Sequence, residues 1–303
     1  ARRAYFDQLT IAIAMTALMV VGVAACGSSS SSSTTDSSST DTTADEMTGP
    51  ISVISREEGS GTRGAFVELM GIVDDNDNDI TTIDAEITNS TSVMLTTVAG
   101  NKQSIGYVSL GSLSDDVKAV KVDGVEASVD DIKNGSYSVS RPFLVAYKDG
   151  QLSELAQDYL KYILSADGQA IISENGYISV SDSAEAYTAS GLSGKLVLAG
   201  STSVSPVMEK LADAYKALNP DVTIEIQQTG SGAGITSAIE GVCDFGMSSR
   251  ELKESEAAEL KADQIALDGI AVIVNNENPT DDISSENIKN IYLGEVTNWE
   301  DVK

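Results

Sequence analysis

Short apolar runs alternate along most of the chain with segments in which apolar residues recur every three or four positions. The runs at 51–54, 195–199 and 265–274 predict buried strands, and the spacing across 207–218 is typical of an amphipathic helix. Weaker signals predict further strands at 105–110, 143–147 and 222–226, helices at 90–99, 152–172 and 285–292, and a hairpin over 117–125 that turns at Asp123-Gly124. Strands that alternate with helices predict an α/β fold with mainly parallel sheets.

Segments rich in glycine and hydroxyl residues stand between three of these strands and the helices that follow them, at 55–62, 200–206 and 229–234. The free N–H groups at a helix start attract anions, and serine and threonine hydroxyls add hydrogen-bond donors. Arg56 adds a fixed fork of N–H groups. Each segment alone also fits a capped helix after a tight turn, but three together indicate one anion held by several helix starts.

The overall charge narrows the classes of partner. The formal net charge is −27, which disfavours nucleic acids and anionic membrane surfaces as partners. A local cluster of N–H dipoles and one arginine can still attract an anion, because distant charges are screened. The sequence contains no histidine, so catalytic triads built on histidine, histidine proton shuttles and most zinc sites are excluded.

The beginning of the sequence predicts a targeting segment. Arg2 and Arg3 precede an apolar run at 11–25 that ends at Cys26, and this run is short for a membrane span but suits a signal-peptide core. It resembles a bacterial lipoprotein signal, in which Cys26 is lipidated and anchors the protein to the outer face of the cell membrane. A plain signal peptide or a core helix is the alternative, and counting alone also permits a disulfide with Cys243.

The next segment, 27–49, is nearly all serine, threonine and aspartate, and its composition predicts a disordered tether. A second polar stretch at 181–193 predicts a linker. An acidic loop places Asp75, Asp77 and Asp79 in the spacing of a calcium loop, but Ile80 stands where such loops need glycine, so a solvated loop is favoured and no metal is expected.

Four motifs together resemble the phosphate-binding proteins of bacterial ABC importers. They are Ala-Gly-Ser-Thr-Ser-Val-Ser-Pro at 199–206, Gly-Ser-Gly-Ala-Gly at 230–234, Asp-Phe-Gly-Met-Ser-Ser-Arg at 244–250 and Ser-Arg-Glu-Glu-Gly-Ser-Gly-Thr at 55–62. The resemblance implies a two-lobed fold of the periplasmic-binding-protein type (type II), with phosphate held between the lobes, no cofactor, and the permease of an importer as partner.

The order of the halves differs from that of the family, in which the part resembling 194–303 comes first. This indicates a circular permutation, or a window cut from a tandem array. Mapped onto this order, the resemblance implies the following segments: a lipoprotein signal at 1–26, the tether at 27–49, lobe two at 50–139 and 279–303, and a continuous lobe one at 140–278 that includes the linker.

The resemblance also implies a set of ligand-binding residues. Those of lobe one are Ser201, Thr202, Ser203, Ser231 and Ser249; those of lobe two are Arg56, Ser60, Gly61 and Thr62. Many family members carry an aspartate at the position of Ser249, where it accepts the proton that phosphate retains. Glu58, Asp244 or Asp268 are the candidate replacements, although capping is the favoured role for Asp244 and Asp268.

The function that these features predict is extracytoplasmic capture of phosphate, by a monomer, for delivery to an importer. Sulfate or another tetrahedral oxyanion is the alternative ligand, because Ser249 supplies no carboxylate. A surface phosphate sensor would use the same site. A serine hydrolase or phosphatase with Ser60 as nucleophile is disfavoured, because no histidine is present to activate the hydroxyl.

Overall fold

The computed structural model of the protein describes residues 46–302; the predicted signal, the lipidation at Cys26 and most of the predicted tether lie outside them. The strands are β1 (Ser52–Arg56), β2 (Glu86–Thr88), β3 (Ser104–Ser109), β4 (Val117–Ala119), β5 (Lys121–Val122), β6 (Ser140–Tyr147), β7 (Ile178–Ser179), β8 (Gly194–Gly200), β9 (Val222–Gln228), β10 (Phe245–Ser248), β11 (Lys261–Asn275) and β12 (Asp282–Ile283). The helices are α1 (Gly61–Leu69), α2 (Thr91–Ala99), α3 (Val129–Lys133), α4 (Glu154–Leu164), α5 (Ala166–Glu174), α6 (Ser205–Leu218), α7 (Ser231–Glu240), α8 (Glu254–Ala257) and α9 (Ser285–Leu293), with short 3₁₀ turns at Leu110–Ser112 and Trp299–Asp301.

One ten-stranded sheet runs through the described chain in the order β2-β1-β3-β11-β6-β10-β8-β9, and β4 and β7 pair with β11 beside this path. Its two flanks are parallel, since β1 pairs with β2 and β3 in parallel and β8 does so with β9 and β10. The central strands β11 and β6 run antiparallel to their neighbours. The sheet is therefore mixed rather than mainly parallel, as expected where one long strand passes from one half to the other.

Two large hydrophobic cores lie along this sheet. One contains Phe143, Tyr159, Leu198 and Phe245, and corresponds to lobe one. The other contains Ile54, Phe66 and Trp299, and corresponds to lobe two. Residues 270–274 of β11 pack in the second core, so the packing of lobe two begins earlier along the chain than the boundary of 278 that the sequence predicted. The apolar run in β11 gives no sign that the strand passes from one core to the other, because residues at both ends of the run are buried.

The first and last described segments of the chain lie side by side. Trp299 donates its main-chain N–H to the carbonyl of Gly49 at 2.9 Å, and the N–H of Gly49 donates to the Glu300 carboxylate at 2.8 Å. Pro50 and Asn298 form an isolated antiparallel bridge. Residues 46–49, at the end of the predicted tether, therefore belong to the packed part of the described chain.

Two predicted elements differ in detail. The helix expected over 152–172 is broken at Ser165, whose hydroxyl caps α5 by accepting from the N–H of Gly168 at 3.2 Å. Asp123 and Gly124 do form a two-residue turn with positive φ, closed by an antiparallel bridge between Val122 and Val125. The hairpin extends no further, because β4 pairs with β11 and β5 pairs with β12. Tertiary pairing thus limits the predicted hairpin to its turn.

The linker at 181–193 is attached to lobe one by a small hydroxyl network. The Asp158 carboxylate on α4 accepts from Tyr187 at 2.5 Å, from Tyr215 at 2.6 Å and from Ser190 at 2.8 Å. Burial alone would raise the pKa of Asp158, but these three donations outweigh it, and the pKa lies below its usual value of 3.8. The charged form of Asp158 therefore stabilises the attachment of the linker.

Replacement of Asp158 by asparagine is expected to lower the free energy of unfolding by about 1–2 kcal/mol at neutral pH, because hydrogen bonds to a charged acceptor are lost. A depressed carboxyl pKa gives stability that is present above the unfolded pKa and lost as the pH falls through the folded one. The difference between Asp158→Asn and the native chain, measured by urea unfolding, should therefore shrink below pH 3.8. A difference that persists unchanged there would contradict this account; Tyr187→Phe, which removes one donor, is the milder control.

Two further expectations from the sequence concern membrane-spanning helices and Cys243. Between residues 46 and 302, no helix has the length and apolar character needed to cross a bilayer. Cys243 is a buried free thiol whose pKa burial raises to about 11, which makes it unreactive at neutral pH.

Candidate functional site

Four helix starts meet between the two cores, and each contributes hydroxyl groups. Thr62 lies in the first turn of α1, Thr91 begins α2, Ser201–Ser203 precede α6 and Ser231 begins α7. All of these hydroxyl residues are buried, with at most 7% of their surface exposed. Buried hydroxyls need hydrogen-bond partners, so their convergence creates a compact set of donors and acceptors.

Hydroxyl groups of the two lobes contact one another directly across this region. Thr62 Oγ1 lies 2.9 Å from Ser203 Oγ, and Thr91 Oγ1 lies 3.1 Å from Thr202 Oγ1 and 3.2 Å from Ser203 Oγ. The main chain also joins the lobes, since the N–H of Gly232 donates to the carbonyl of Gly59 at 3.0 Å. The arrangement is that of a closed cleft, with polar groups of both lobes facing each other.

Ser249 lies at the lobe-one side of this set, at the carboxyl end of β10. Its Oγ is 2.9 Å from Ser201 Oγ and 3.3 Å from Ser231 Oγ, and its N–H donates to Ser231 Oγ at 3.2 Å. The start of α1 packs against these hydroxyls so closely that a Cβ on Gly61 would lie 2.6 Å from Ser249 Oγ. Gly61 is therefore needed for the lobes to approach, because a side chain there would collide with the opposite lobe.

Arg56 supplies the positive charge of the site and is held by several groups. Its side chain is 3% exposed; Nη2 donates to Thr202 Oγ1 at 3.1 Å, and Nε and Nη2 donate to the Glu57 carboxylate at 2.8 and 2.9 Å. Its main chain is fixed by Tyr107, whose hydroxyl accepts from the Arg56 N–H at 3.2 Å, and by Arg63, which donates to the Arg56 carbonyl at 2.7 Å. The guanidinium is thus aimed across the cleft.

The Tyr107 hydroxyl remains protonated in this setting. Burial raises the pKa of Tyr107 to about 12, while hydrogen bonds from Ser55 and Arg56 oppose the rise. Its ring stacks on Phe66 with centroids 4.0 Å apart. The stacking of Tyr107 on Phe66 in the core therefore positions the Tyr107 hydroxyl, which hydrogen-bonds to the end of β1.

The structure brings together Arg56, Gly61, Thr62 and the five lobe-one residues of the predicted set. Ser60 also caps α1, since its hydroxyl accepts from the Arg63 N–H at 3.3 Å. The ligand-binding role of the set stays a prediction.

Among the described residues, none of the three candidate proton acceptors forms a hydrogen bond with the hydroxyl set. Glu58 is exposed. Asp244 accepts from the Val197 N–H at 2.8 Å and precedes β10, at the opposite end of the strand from Ser249. Asp268 is buried and pairs with Arg141 at 3.1 Å. The carboxylate that the structure does place beside the Arg56 guanidinium is that of Glu57.

Sequence reasoning missed three residues of the site: Thr91, Tyr107 and Arg141. Thr91 follows the helix cap Ser90, and this hydroxyl pair at a helix start was a usable signal. Tyr107 and Arg141 lie within strands, where an apolar surrounding pattern conceals their polar contacts.

Acidic side chains of the loop at 74–79 form contacts with neighbouring protein groups. Asp79 pairs with Arg63 at 2.6 Å, and Asp74 accepts from the N–H groups of Asn76 and Asn78. Over residues 46–302, no group of three or more acidic or cysteine side chains is placed to hold a metal ion. The solvated-loop interpretation of this segment fits these contacts.

Comparison with known proteins connects this geometry with a family. The sequence matches the family described as PBP superfamily domain over residues 28–167 and 184–303. A phosphate-binding protein PstS 2 of Streptococcus agalactiae is 50% identical over 296 residues, which cover 96% of each chain. A shorter match, to the phosphate-binding protein PstS of Bacillus subtilis, is 34% identical over 113 residues and covers 36% of this chain and 38% of the relative.

A solved structure of a related protein supports the same family assignment. The crystal structure of a phosphate-binding protein of a phosphate ABC transporter from Streptococcus pneumoniae shares 48% identity, with a TM-score of 0.69, and covers 84% of this chain and 100% of that one. This confirms the predicted α/β fold of the periplasmic-binding-protein type. These relatives are named as binding proteins, which confirms the expectation of a binding protein rather than an enzyme. The chain therefore belongs to the PBP superfamily, in the group that contains the streptococcal phosphate-binding proteins.

Proposed function

We propose that this protein binds inorganic phosphate between its two lobes and delivers it to an ABC importer. The observation that carries the proposal is the convergence of Arg56 with buried hydroxyls from four helix starts, two in each lobe. The names of the full-length relatives support phosphate as the ligand. Membership in a family of importer binding proteins supports delivery to a permease.

The donor set suits a small tetrahedral anion. Hydroxyls that now donate to one another can each turn a proton toward an oxyanion, and the Arg56 guanidinium adds charge-assisted bonds. Each such bond contributes about 1.5–3 kcal/mol, so several are enough for micromolar binding after the cost of closing the lobes. Because the donors come from both lobes, the anion favours the closed state, which is the state a permease can recognise.

Sulfate is the second candidate ligand, and Ser249 is the observation that favours it. A carboxylate acceptor would attract hydrogenphosphate and repel fully ionised sulfate, whereas a serine hydroxyl treats both alike. Glu57, which contacts Arg56, is the carboxylate best placed to restore this selectivity.

Calorimetric titration of the purified protein with phosphate and then sulfate tests the proposal. The expected result is binding of phosphate at micromolar concentration or below, with weaker but measurable heat for sulfate. Equal binding of both anions would identify a general oxyanion-binding protein. Absence of heat with phosphate on folded protein would overturn the proposed function.

We further propose a lipid anchor on Cys26, an extracytoplasmic location and a rearranged order of the two halves. The anchor is supported by the sequence alone. The rearrangement is supported by the contact between Gly49 and Trp299, because adjacent ends allow a chain to be joined and reopened elsewhere. The Bacillus subtilis relative also supports the rearrangement, because its match covers only about a third of each chain. When two halves are exchanged, a match that keeps both chains in order can include only one of them.

A further inference from the structure

The arginines of the described chain are all held by carboxylates. Residues 46–302 contain four arginines, and each pairs with a carboxylate: Arg56 with Glu57, Arg63 with Asp79, Arg141 with Asp268 and Arg250 with Glu256. Three of them also donate to main-chain carbonyls, those of Arg56, Ser249 and Glu251. A planar fork can bind a carboxylate and a carbonyl at once, which a lysine ammonium on a flexible stem does less rigidly.

Arg141 and Asp268 form the most deeply buried of these four pairs. Arg141 donates to Asp268 through Nε at 3.3 Å and Nη2 at 3.1 Å, and its Nη1 donates to the carbonyl of Ser249 at 3.3 Å. The side chains of Arg141 and Asp268 are 2% and 0% exposed. The guanidinium also lies over the ring of Phe143, 5.4 Å from its centroid.

The pair lies where the chain passes between the lobes. Asp268 and Arg141 are opposite each other on β11 and β6, next to Gly269 and Ser140, where the pairing of these two strands ends. One residue later, Ile270 pairs with Ser109 of lobe two. Asp268 Oδ1 accepts from the Ser109 hydroxyl at 3.0 Å, so one carboxylate bonds both lobes.

We infer that Arg141 and Asp268 are positioning residues for anion binding: they fix the carbonyl of Ser249, and thereby hold the Ser249 hydroxyl toward the cleft. The inference rests on the proposed phosphate site. Asp268 orients the guanidinium, the guanidinium holds the main chain after β10, and that main chain sets the distance of Ser249 Oγ from Ser201 and Ser231.

Electrostatics favour a role beyond packing. Desolvation lowers the pKa of Arg141, and the nearby Arg56 lowers it further, while Asp268 opposes both effects. Two buried guanidinium groups therefore lie within reach of each other's charge. An apolar pair of similar volume is often as stable as a buried ion pair, so stability alone does not require these residues. Holding the Ser249 carbonyl is a function that an apolar pair would not perform.

The test replaces the pair as a unit and reads phosphate affinity by calorimetry. Arg141→Met with Asp268→Leu leaves no unpaired buried charge, so the fold should persist. The expected result is phosphate affinity about tenfold weaker than native, the loss expected for one charge-assisted contact. If the double variant does not fold, Arg141→Lys keeps the charge beside Asp268 but lacks the fork that also reaches Ser249, and a similar loss is expected.

A cycle with Ser249→Ala distinguishes positioning from a general structural effect. The triple variant combines Ser249→Ala with the double variant of the pair. If the pair acts through the Ser249 hydroxyl, the triple variant should bind phosphate about as well as the weaker-binding of Ser249→Ala and the double variant, because the effects of coupled residues are not additive. Combination of the pair variant with Thr62→Val in lobe two should instead multiply the losses. Native affinity in the folded double variant, or multiplied losses with Ser249→Ala, would overturn the inference. Failure of the native protein to bind phosphate would overturn the proposed function instead.

Discussion

Arg56→Met is expected to weaken phosphate binding at least about 100-fold while the protein stays folded. Arg56 is the cation that the structure aims across the cleft, and removal of two charge-assisted hydrogen bonds costs about 3 kcal/mol or more. Methionine fills the space of the aliphatic part of the side chain. The partner Glu57 is 26% exposed and can be hydrated when its arginine is removed, so thermal unfolding should change little compared with the loss of binding.

A lysine elsewhere in lobe two provides the matched control for charge. Lys118 pairs with Asp281 at 2.7 Å on the surface, and Lys118→Met removes the same unit of positive charge away from the cleft. Its phosphate affinity should remain within about twofold of native, because screening weakens a distant surface charge. Equal calorimetric affinity of Arg56→Met and native protein would exclude Arg56 from the binding site, whatever the ligand.

Local signals in the sequence were sufficient to find the parts of the site that lie at helix starts. Glycine with serine or threonine between a strand and a helix is a short-range pattern, and it predicted the segments that contain Thr62, Ser203 and Ser231. The parallel strands β8 and β9 end at one edge of the sheet, which places the segments after them side by side, and the segment after β1 meets them across the cleft. Capping and binding use the same residue types, so the pattern alone does not separate the helix cap that Ser60 forms from the ligand contact predicted for it.

Contacts between residues far apart along the chain were not predictable in the same way. Thr91 meets Thr202 across 111 positions, and Arg141 meets Asp268 across 127. The sequence offers Asp268 as one of three candidate proton acceptors and favours a capping role for it. Its actual partner, Arg141, could be identified only after β6 and β11 were paired in register.

The long strand β11 illustrates the same limit for the fold. Its apolar residues predicted a strand over 265–274, and the structure extends it to 261–275. The pattern of buried residues is continuous, although the first part packs in lobe one and the last part in lobe two. Hydropathy measures burial and not the identity of the neighbour, so the boundary between the lobes required the three-dimensional structure.

Gly61→Ala is expected to weaken phosphate binding by about tenfold to 100-fold without lowering the stability of the fold. The added Cβ would overlap Ser231 Oγ and lie 2.6 Å from Ser249 Oγ, so the lobes could close only after both serines moved. Gly61 begins α1, where alanine is the better helix former, so the open protein should be no less stable. Calorimetry would measure the affinity, and small-angle X-ray scattering at saturating phosphate would measure how far the lobes close.

Gly232→Ala is the matched control, because it adds the same methyl group to the facing helix start. Its Cβ would lie 3.4 Å from Gly59 Cα, an ordinary van der Waals distance that leaves the contact between the lobes intact. Affinity and closure in this variant should therefore stay near native values. If Gly61→Ala bound phosphate as tightly as Gly232→Ala, the close approach of α1 to Ser231 and Ser249 would not be part of the bound state, and the anion would have to be held with the lobes further apart.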